Sequence, residues 1–471
     1  MSAPRLSVRE VELFERPVRL RIPFRFGVVT LTEAPQAFLR ARIRLADGRE
    51  GWGQAAELMV PKWFDKDPAL TNGQNFDQLR ASLRLARDAY MAGGPATPFG
   101  LHASLDRPIH EKAAARGLNG LVAGFGAALM DRAVIDALGR LEEAPAAALM
   151  RANALGVTSA TAPDLADFGL AAFLGGLRPA AGIAYRHTVG LIDPLADADI
   201  AEDAVVGDGL PQSLQAVLER YGPRYLKLKV GGDLEADIER LGRIAAVADA
   251  SGIDYRVTLD GNEQYADAAA VTELVRAIRA APGLERLSAA ILYLEQPVAR
   301  AGALERPIHD LAALVPVAVD ESDADIGVFP RARALGYAGM SSKSCKGLYR
   351  SLLNAARCAM WNAQAEGAPH FMTAEDLTTQ AGIAVQQDLV LASLIGCRHV
   401  ERNGHHYVDG FGAAPEAEQE AFLAAHPDLY ARSGGRVRLS ISKGEIALGS
   451  LDCPGLGAAA EPDWSSMARM P

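Results

Sequence analysis

The sequence predicts an α/β protein built around a (β/α)8 barrel, with a smaller α+β region ahead of it. Two observations predict this fold class. From about residue 183 onward, eight short apolar runs alternate with amphipathic helical stretches, which is the element order of a parallel barrel. The residues before them alternate apolar and polar positions and then change to helical spacing, which indicates a small antiparallel sheet followed by helices.

Composition narrows the class of protein. The chain has 471 residues, of which 49% are hydrophobic and 23% charged, the profile of a soluble globular protein of two or three domains. A net charge of −10 argues against a nucleic-acid surface. The four cysteines form no CxxC pair, and no apolar run has signal-peptide or membrane-span length. We therefore expect a cytoplasmic protein with a small-molecule partner and with neither membrane nor nucleic acid.

The elements follow in order along the chain. The first 60 residues predict the sheet, and 75–92 and 119–141 predict helices. The stretch from 142 to 182 is rich in Ala, Pro and Gly and is interpreted as a connector with some helix. Part of 192–222 is interpreted as an insertion after the first barrel strand. The eight predicted strands are YRHTVGL, YLKLKV, YRVTLD, ILYLEQ, VPVAVDE, AGMSSKS, PHFMTAE and CRHVER.

Charged residues close the last seven of these runs. They are spaced 23 to 35 residues apart, about one βα unit each. Because the carboxyl ends of all barrel strands meet at one face, these side chains should converge there. They are Lys229, Asp260, Glu295, Asp320, Lys343, Glu375 and Glu401.

Three of them are carboxylates on consecutive strands, namely Asp260, Glu295 and Asp320. Crowded acids raise one another's pKa unless a cation lies among them. All-oxygen ligands without His or Cys favour Mg²⁺, with Mn²⁺ as an alternative. Each acid taken alone could instead cap the helix that follows its strand.

The lysines give the cluster a possible chemistry. In YLKLKV, Lys227 and Lys229 project to the same face of the strand, and a solvated surface strand is the alternative to a site. Lys343 ends a strand on the opposite side of a closed barrel. A lysine near a divalent cation and another lysine should have a lowered pKa, which would allow it to act as a base.

Together these motifs resemble the enolase superfamily, within it the mandelate racemase and muconate lactonizing enzyme branch, and the Lys/Lys type in particular. The resemblance rests on KxK in YLKLKV, DxN in LDGNEQY, ExP in LEQP, DES in VDES and the lysine of SSKSCKG. MDRAVIDALGRL and LDCPGLG resemble further segments of the family. The resemblance implies a modified TIM (β/α)8 barrel with an α+β N-terminal capping domain completed by the C-terminal segment. The implied parts are residues 1–150, a connector 151–182, the barrel 183–410 and the C-terminal segment 411–471.

The resemblance also implies roles for single residues. Asp260, Glu295 and Asp320 would bind the metal. Lys229 and Lys343 would be acid/base residues on the two faces of the substrate, and Lys227 would help hold its carboxylate. Asn262 would line the site. The implied chemistry is abstraction of a proton α to a carboxylate, with an epimerase or racemase, cycloisomerase or dehydratase outcome, in a protein expected to form homo-oligomers.

The sequence departs from the family pattern at several places. SSKSCKG has one glycine, Gly347, where the family has a pair. Glu375 ends the seventh run, where family members often carry a strand-end acid, and it is expected to contact the substrate. Glu401 and Asn403 stand where dipeptide epimerases carry an acidic pair that grips an amine, so an amine-bearing substrate remains open. Satisfied loop histidines are the favoured interpretation of His399, His405 and His406.

Covering loops are expected at 22–29 and 55–64. Arg25 and Lys62 would suit an anionic group there. The aromatic residues of these loops would exclude water or belong to the core or an interface, and they are Phe24, Phe26, Trp63 and Phe64. Two other functions stay open, a binding barrel without catalysis and a lyase forming a Schiff base through Lys343.

Overall fold

A computed structural model describes residues 3–26, 29–364 and 369–470. The N-terminal region forms an antiparallel sheet in which the last described strand, β15 (Ala468–Arg469), pairs with β1 (Leu6–Phe26), followed by β2 (Val29–Leu45) and β3 (Glu50–Leu58). The predicted sheet and both predicted helices are present, and a third helix, α2, was not predicted. The elements up to the barrel are β1 (Leu6–Phe26), β2 (Val29–Leu45), β3 (Glu50–Leu58), α1 (Asn72–Ala92), α2 (Pro98–Ala114), α3 (Gly120–Leu141), α4 (Ala146–Arg151) and α5 (Leu170–Gly175).

Helix α3 is the centre of this region. Its residues from Leu121 to Gly139 are buried, because the sheet covers one side and α1 and α2 cover others. The sheet approaches so closely that a Cβ on Gly53 would lie 2.1 Å from the backbone oxygen of Ala133. A glycine is therefore required at that position.

Eight parallel strands close into a barrel, since β11 pairs with both β10 and β4. Each strand is short and almost fully buried, as expected for a sheet covered by helices outside and packed side chains inside. The strands are β4 (Gly182–Val189), β5 (Tyr225–Lys229), β6 (Arg256–Asp260), β7 (Ile291–Glu295), β8 (Val317–Val319), β9 (Gly339–Ser342), β10 (Phe371–Ala374) and β11 (His399–Glu401). All eight predicted runs are strands, and the predicted fold class is confirmed.

Helices connect the barrel strands. The expected insertion after β4 contains two single-turn 3-10 helices before α6. The helices are α6 (Leu214–Tyr221), α7 (Leu234–Ala250), α8 (Ala268–Ala280), α9 (Glu285–Ala290), α10 (His309–Ala312), α11 (Val328–Ala334), α12 (Leu348–Gln364) and α13 (Ile383–Leu394). Among the described helices none is long and apolar enough to cross a bilayer.

The C-terminal segment contacts both parts of the molecule. Strand β15 extends the N-terminal sheet, and Leu456 donates its backbone N–H to Asp136 of α3. Strand β14 instead pairs with the first barrel strand. The elements are α14 (Gly404–Tyr407), α15 (Glu416–Ala425), β12 (Tyr430–Ser433), β13 (Arg436–Leu439), β14 (Glu445–Ala447) and β15 (Ala468–Arg469). The domain boundaries given above stay a prediction.

Candidate active site

The predicted strand-end residues converge at one face of the barrel. Strand register places Lys229 beside Asp260 and Asp260 beside Glu295. Asp320, Lys343 and Glu375 directly follow the next three strands. A cavity of about 30 Å³ lies here, and its lining includes Lys227, Lys229, Asp260, Asn262, Asp320, Lys343, Glu401 and Asn403. Glu295 and Glu375 are fully buried around it.

Lys227 lies at the centre of the acids. Its ammonium is 2.9 Å from both Asp260 Oδ2 and Glu295 Oε2, and it donates hydrogen bonds to Glu375 and, at 3.0 Å, to Glu401. Lys227 is 1% exposed, so these contacts are shielded from water. The paired lysines of YLKLKV are thus inside the barrel, and the surface-strand alternative is wrong.

Lys229 and Lys343 approach the cavity from strands four positions apart, on opposite sides of the barrel. Lys229 donates to Asp260 Oδ2 at 2.5 Å. Lys343 donates to Asp320 Oδ2 at 2.8 Å and lies 5.3 Å from the ring centroid of Trp63, within the range of a cation–π contact. A ligand between the two strands would therefore have an amine on each face.

Without a metal ion, the neighbouring acids shift the lysine pKa values in the direction opposite to the one expected beside a divalent cation. Burial lowers the pKa of Lys343, but Asp320, Glu375 and Glu295 outweigh it and raise that pKa. The same balance, with Asp260 and Glu295 contributing most, raises the pKa of Lys227 well above its usual value. The expectation from the sequence included the effect of neighbouring cations on the lysine pKa but not the effect of the acids that pair with the lysines.

Whether Asp260, Glu295 and Asp320 could bind a metal ion depends on which of their oxygens lack a partner. Neither carboxylate oxygen of Glu295 accepts a hydrogen bond from the described residues, but Oε2 lies 2.9 Å from the Lys227 ammonium. Oε1 is therefore the buried acceptor that a cation would satisfy. Asp260, Glu295 and Asp320 offer oxygen donors on adjacent strands, as Mg²⁺ prefers. In the described ranges, however, no three acidic, histidine or cysteine side chains stand together in ligating positions, because Lys227 lies among them. The oxygen donors fit Mg²⁺ in chemistry, while lysine ammonium groups balance their charge in this structure.

Two residues that the sequence argument missed hold Asp320. Lys346 donates to Asp320 Oδ1 at 3.0 Å and to the Ser341 backbone oxygen at 2.5 Å. The side-chain oxygen of Gln296 accepts the Asp320 backbone N–H at 3.0 Å. Together with Lys343, Lys346 outweighs burial and lowers the pKa of Asp320. A second lysine three positions after Lys343 was visible in SSKSCKG, whereas Gln296 gave no signal.

The acids of the seventh and eighth strands are used by the protein itself. Glu375 pairs with Arg186, and both side chains are fully buried. Glu401 accepts from Thr188 Oγ1 at 2.5 Å, Asn403 Nδ2 at 2.7 Å and Lys227 Nζ at 3.0 Å. Three protein donors thus already engage the carboxylate that could have gripped a substrate amine.

Asn262 lines the cavity in a left-handed backbone conformation, with φ of 40°. Its backbone N–H donates to Asp260 Oδ1 at 2.9 Å and its amide donates to Glu321 at 3.1 Å. Positive φ in a non-glycine residue costs energy and often marks functional positions. Thr378, across the cavity, has φ of 60°.

The covering loops reach the cavity with apolar side chains. Phe24, Val60 and Trp63 line it, while Phe64 packs at right angles to Trp63. Arg25 is exposed and does not line the cavity, because Phe24 takes the inward position of the alternating strand. The side chain of Phe26 lies outside the described residues.

Lys66, and not Lys62, joins the second covering loop to the barrel. Lys62 donates to backbone oxygens of its own loop, Asp67 and Leu70. Lys66 pairs with Glu263 at 2.5 Å. Arg300 donates to the backbone oxygens of Trp63 at 2.9 Å and Phe64 at 3.2 Å and also pairs with Glu263.

The histidines lie away from the cavity. His399 Nδ1 is hydrogen-bonded to Arg186, and its ring stacks on Tyr225. His406 packs edge-to-face on His187, whose Nδ1 is 2.6 Å from the Tyr185 hydroxyl. Burial lowers the pKa of His187 to about 3. For His405, both ring nitrogens are buried without a hydrogen-bond partner in the described chain.

Comparison with known proteins identifies the family of this chain. The sequence profile of the family described as "Enolase C-terminal domain-like" matches residues 210–464, more than half of the chain. The chain belongs to this family. Its similar proteins place it in the mandelate racemase and muconate lactonizing enzyme branch of the enolase superfamily, as the motifs predicted.

Individual relatives are distant. D-Ala-D/L-Ala epimerase of Cytophaga hutchinsonii is 25% identical to this enolase-family chain over 317 residues, which are 67% of the chain and 66% of that relative. The chain thus spans just under two thirds of that protein's length.

Two solved structures share the fold. Muconate lactonizing enzyme from Mycobacterium smegmatis, complexed with muconolactone, has 18% identity and a TM-score of 0.59, with 99% of this chain and 100% of that chain covered. Dipeptide epimerase from Enterococcus faecalis, complexed with Mg and L-Leu-L-Tyr, has 17% identity and a TM-score of 0.58, with 96% and 99% covered.

Proposed function

We propose that this enolase-family chain is a Mg²⁺-dependent isomerase or lyase that removes a proton α to a carboxylate. The observation that carries the proposal is the pair of lysines, Lys229 and Lys343, on opposite sides of a cavity that also holds strand-end carboxylates. One ammonium or amine on each face allows a proton to leave one side of a carbon and return on the other.

Asp260, Glu295 and Asp320 are the residues that would hold the metal. When bound, Mg²⁺ would supply a Lewis acid beside the substrate carboxylate. Lys227 would contribute fixed positive charge, because four carboxylates hold its ammonium in place. Positive charge placed in advance stabilises the negative charge that develops on an enediolate.

The remaining residues orient the substrate and exclude water. Asn262 and Asn403 line the cavity beside the lysines. Phe24, Val60 and Trp63 close it on the N-terminal side, and Leu377 lies in the loop after β10. A volume of about 30 Å³ accommodates little more than water, so a substrate would enter only when these loops open.

The substrate need not carry a free amine. Glu401 is engaged by Thr188, Asn403 and Lys227, so an ammonium would have to displace one of these donors. We therefore expect a carboxylate whose α-nitrogen, if present, is acylated to react better than its free-amine counterpart. Epimerisation or racemisation uses both lysines directly, and cycloisomerisation or dehydration would use one as base and the other near the leaving or attacking group.

The test is a solvent-exchange screen. The purified protein would be incubated in D₂O with Mg²⁺ and paired free and N-acylated amino acids, dipeptides and 2-hydroxy acids, and deuterium at the α-carbon measured by mass spectrometry. We expect exchange into a subset of these acids, its loss with EDTA and its return with added Mg²⁺.

Other outcomes would contradict the proposal. No exchange in any acid by the folded, Mg²⁺-supplied protein would favour a binding barrel. An adduct on Lys343 after borohydride treatment would favour Schiff-base chemistry, although the contact of Lys343 with Asp320 keeps that amine charged and a poor nucleophile. Undiminished exchange by a Lys229→Ala/Lys343→Ala double variant would show that the reaction occurs elsewhere.

A further inference from the structure

A second, larger cavity lies outside the barrel wall, and we name it the outer cavity. Its volume is about 200 Å³, and it is enclosed by α6, the loop after β10, α14 and the hairpin of β12 and β13. Polar residues of its lining include Arg220, Asp376, Thr379, Arg402, His405 and Arg438. The chemistry proposed for the active site makes no use of it.

Several polar atoms of these residues have no hydrogen-bond partner within the described ranges. Nη1 of Arg402, Nη1 of Arg438 and the hydroxyl of Thr379 are buried and form no hydrogen bond with the described parts of the chain. Arg402 is 1% exposed and Arg438 6%. A buried polar group left unsatisfied costs about 1–3 kcal/mol, so one cavity lined by several such groups is expected to contain something that accepts hydrogen bonds from them.

Both guanidinium groups are held in place by their other nitrogens. Arg402 donates from Nε to the Glu401 backbone oxygen at 2.7 Å and from Nη2 to Asp388. Arg438 donates from Nε to Asp409 at 2.7 Å and from Nη2 to the Asp208 backbone oxygen at 3.2 Å. In each case one terminal nitrogen has no partner among the described residues, and the side chain is already immobilised. A ligand bonding to that nitrogen would therefore pay little additional conformational entropy.

The charge of the lining is positive. Arg220 adds a third cation at the rim, and it donates hydrogen bonds to the neutral Gly209 backbone oxygen and Ser433 hydroxyl. Asp376 is the acid of the lining; its oxygens accept the backbone N–H groups of Thr378, Asn403 and Gly404, and Oδ2 lies 3.6 Å from Arg402 Nε. Asp388 and Asp409 offset part of the charge without lining the cavity.

From these contacts we propose that the outer cavity binds a small oxyanion, a carboxylate or a phosphate. Its oxygens would accept from Nη1 of Arg402 and Nη1 of Arg438, with the Thr379 hydroxyl as a third donor. Planar guanidinium groups suit both kinds of anion. Water alone is the competing occupant.

The outer cavity shares a wall with the active site. Asp376 lines both cavities, and the residues that follow it divide between them, with Leu377 and Thr378 on the catalytic side and Thr379 on the outer side. Thr378 is β-branched with φ of 60°, a conformation that persists only when neighbours enforce it. An anion bonded to Thr379 would therefore stabilise the wall of the catalytic cavity.

The experiment titrates inorganic phosphate and, separately, propionate into the full-length protein at constant ionic strength, with Tm and calorimetry as readouts. We expect Tm to rise with phosphate at millimolar concentrations. Thr379→Val, which keeps the shape of the side chain, should weaken binding about 3-fold, and Arg438→Gln about 10-fold. Arg432→Gln is the matched control, because Arg432 is an exposed residue of the same hairpin that pairs with Glu420.

A Lys343→Ala variant locates the anion. Its response should equal that of the wild type, because Lys343 lines only the catalytic cavity of the two. Loss of the response in this variant would place the anion in the active site and overturn the proposal. So would a wild type that binds neither anion at about 50 mM, which would mean water alone, or Thr379→Val and Arg438→Gln variants that behave like Arg432→Gln.

Amide hydrogen exchange gives a second readout that does not depend on the stability of a variant. With phosphate bound to the wild type, exchange of the amides in 376–380 should slow relative to the exposed hairpin residues. Unchanged exchange in this loop at saturating phosphate would separate the anion from Thr379 and contradict the proposed contacts.

Discussion

The two sides of the catalytic cavity are built differently, although each presents one lysine. On one side, Lys229 contacts Asp260, which also binds Lys227. On the other, Lys343 contacts Asp320, which also binds Lys346, and Trp63 covers it. Lys343 thus has a contact from the N-terminal region, whereas the ion pair of Lys229 is with a residue of the barrel. Two lysines can therefore be positioned on opposite faces of one cavity by different sets of neighbouring residues.

The largest expected effect comes from removing either lysine. Lys229→Ala and Lys343→Ala should each lower turnover by about 10²–10⁴-fold, the usual contribution of a general acid or base. Because each lysine faces one side of the α-carbon, each variant should lose α-proton exchange mainly with one enantiomer of a chiral substrate, and the two variants should differ in which enantiomer is affected. NMR of both enantiomers measures this exchange.

Lys112→Ala is the control, because Lys112 is exposed on α2. If Lys229→Ala and Lys343→Ala kept wild-type rates for both enantiomers, the assignment of one lysine to each face would fail.

Lys227 tests how far the acids depend on one shared ammonium. Lys227→Met should lower the free energy of unfolding by about 3–5 kcal/mol, because it leaves buried carboxylates without their common partner. Lys229→Met, which removes one acid contact among the described residues, should lower it by about 1–2 kcal/mol. Urea unfolding of the metal-free protein measures both. Equal losses would mean that Lys227 is not the centre of the cluster.

Arg300 holds the loop that covers Lys343 through hydrogen bonds to its backbone, so substituting Arg300 should weaken the attachment of that loop. Arg300→Ala removes the hydrogen bonds to the Trp63 and Phe64 backbone oxygens and should lower kcat/KM by about 5- to 30-fold, or about 1–2 kcal/mol. Steady-state kinetics on a substrate found by the exchange screen would measure it, with exposed Arg306→Ala as the control. An unchanged kcat/KM would separate the covering loop from the Lys343 side.

The smallest expected effect is on the pH dependence of stability, and it involves Glu57, which lies on neither the Lys229 side nor the Lys343 side of the cavity. Burial raises the pKa of Glu57 to about 7, against the pull of Arg132. Since the folded pKa exceeds the unfolded one, this contribution to stability is present below about pH 4.5 and is lost as pH rises through 7. Glu57→Gln should flatten the pH dependence of Tm in that window by the equivalent of about 1–2 kcal/mol. A profile identical to that of the wild type would contradict the raised pKa.

Most of the barrel could be predicted from the sequence because its strands are short, apolar and end in charges. A chain with one polar residue at the end of each buried run has few other ways to satisfy those charges. Helix α2 was missed, and its interior proline and weakly apolar composition explain why. The strand-end lysines and acids were predicted one by one, but their pairing could not be, since it depends on distances across the barrel.

By itself, the sequence determined the (β/α)8 class, the strand ends and the residue types that meet there, because periodicity and spacing are local properties. Tertiary structure decided which charges pair, that Lys227 lies among four acids, that Glu401 is already engaged, and that Lys66 rather than Lys62 reaches the barrel. It also decided where buried donors such as Nη1 of Arg402 and Nη1 of Arg438 are left without partners. These outcomes depend on which distant segments pack together, and hydrogen bonds over a few ångströms cannot be inferred from spacing along the chain.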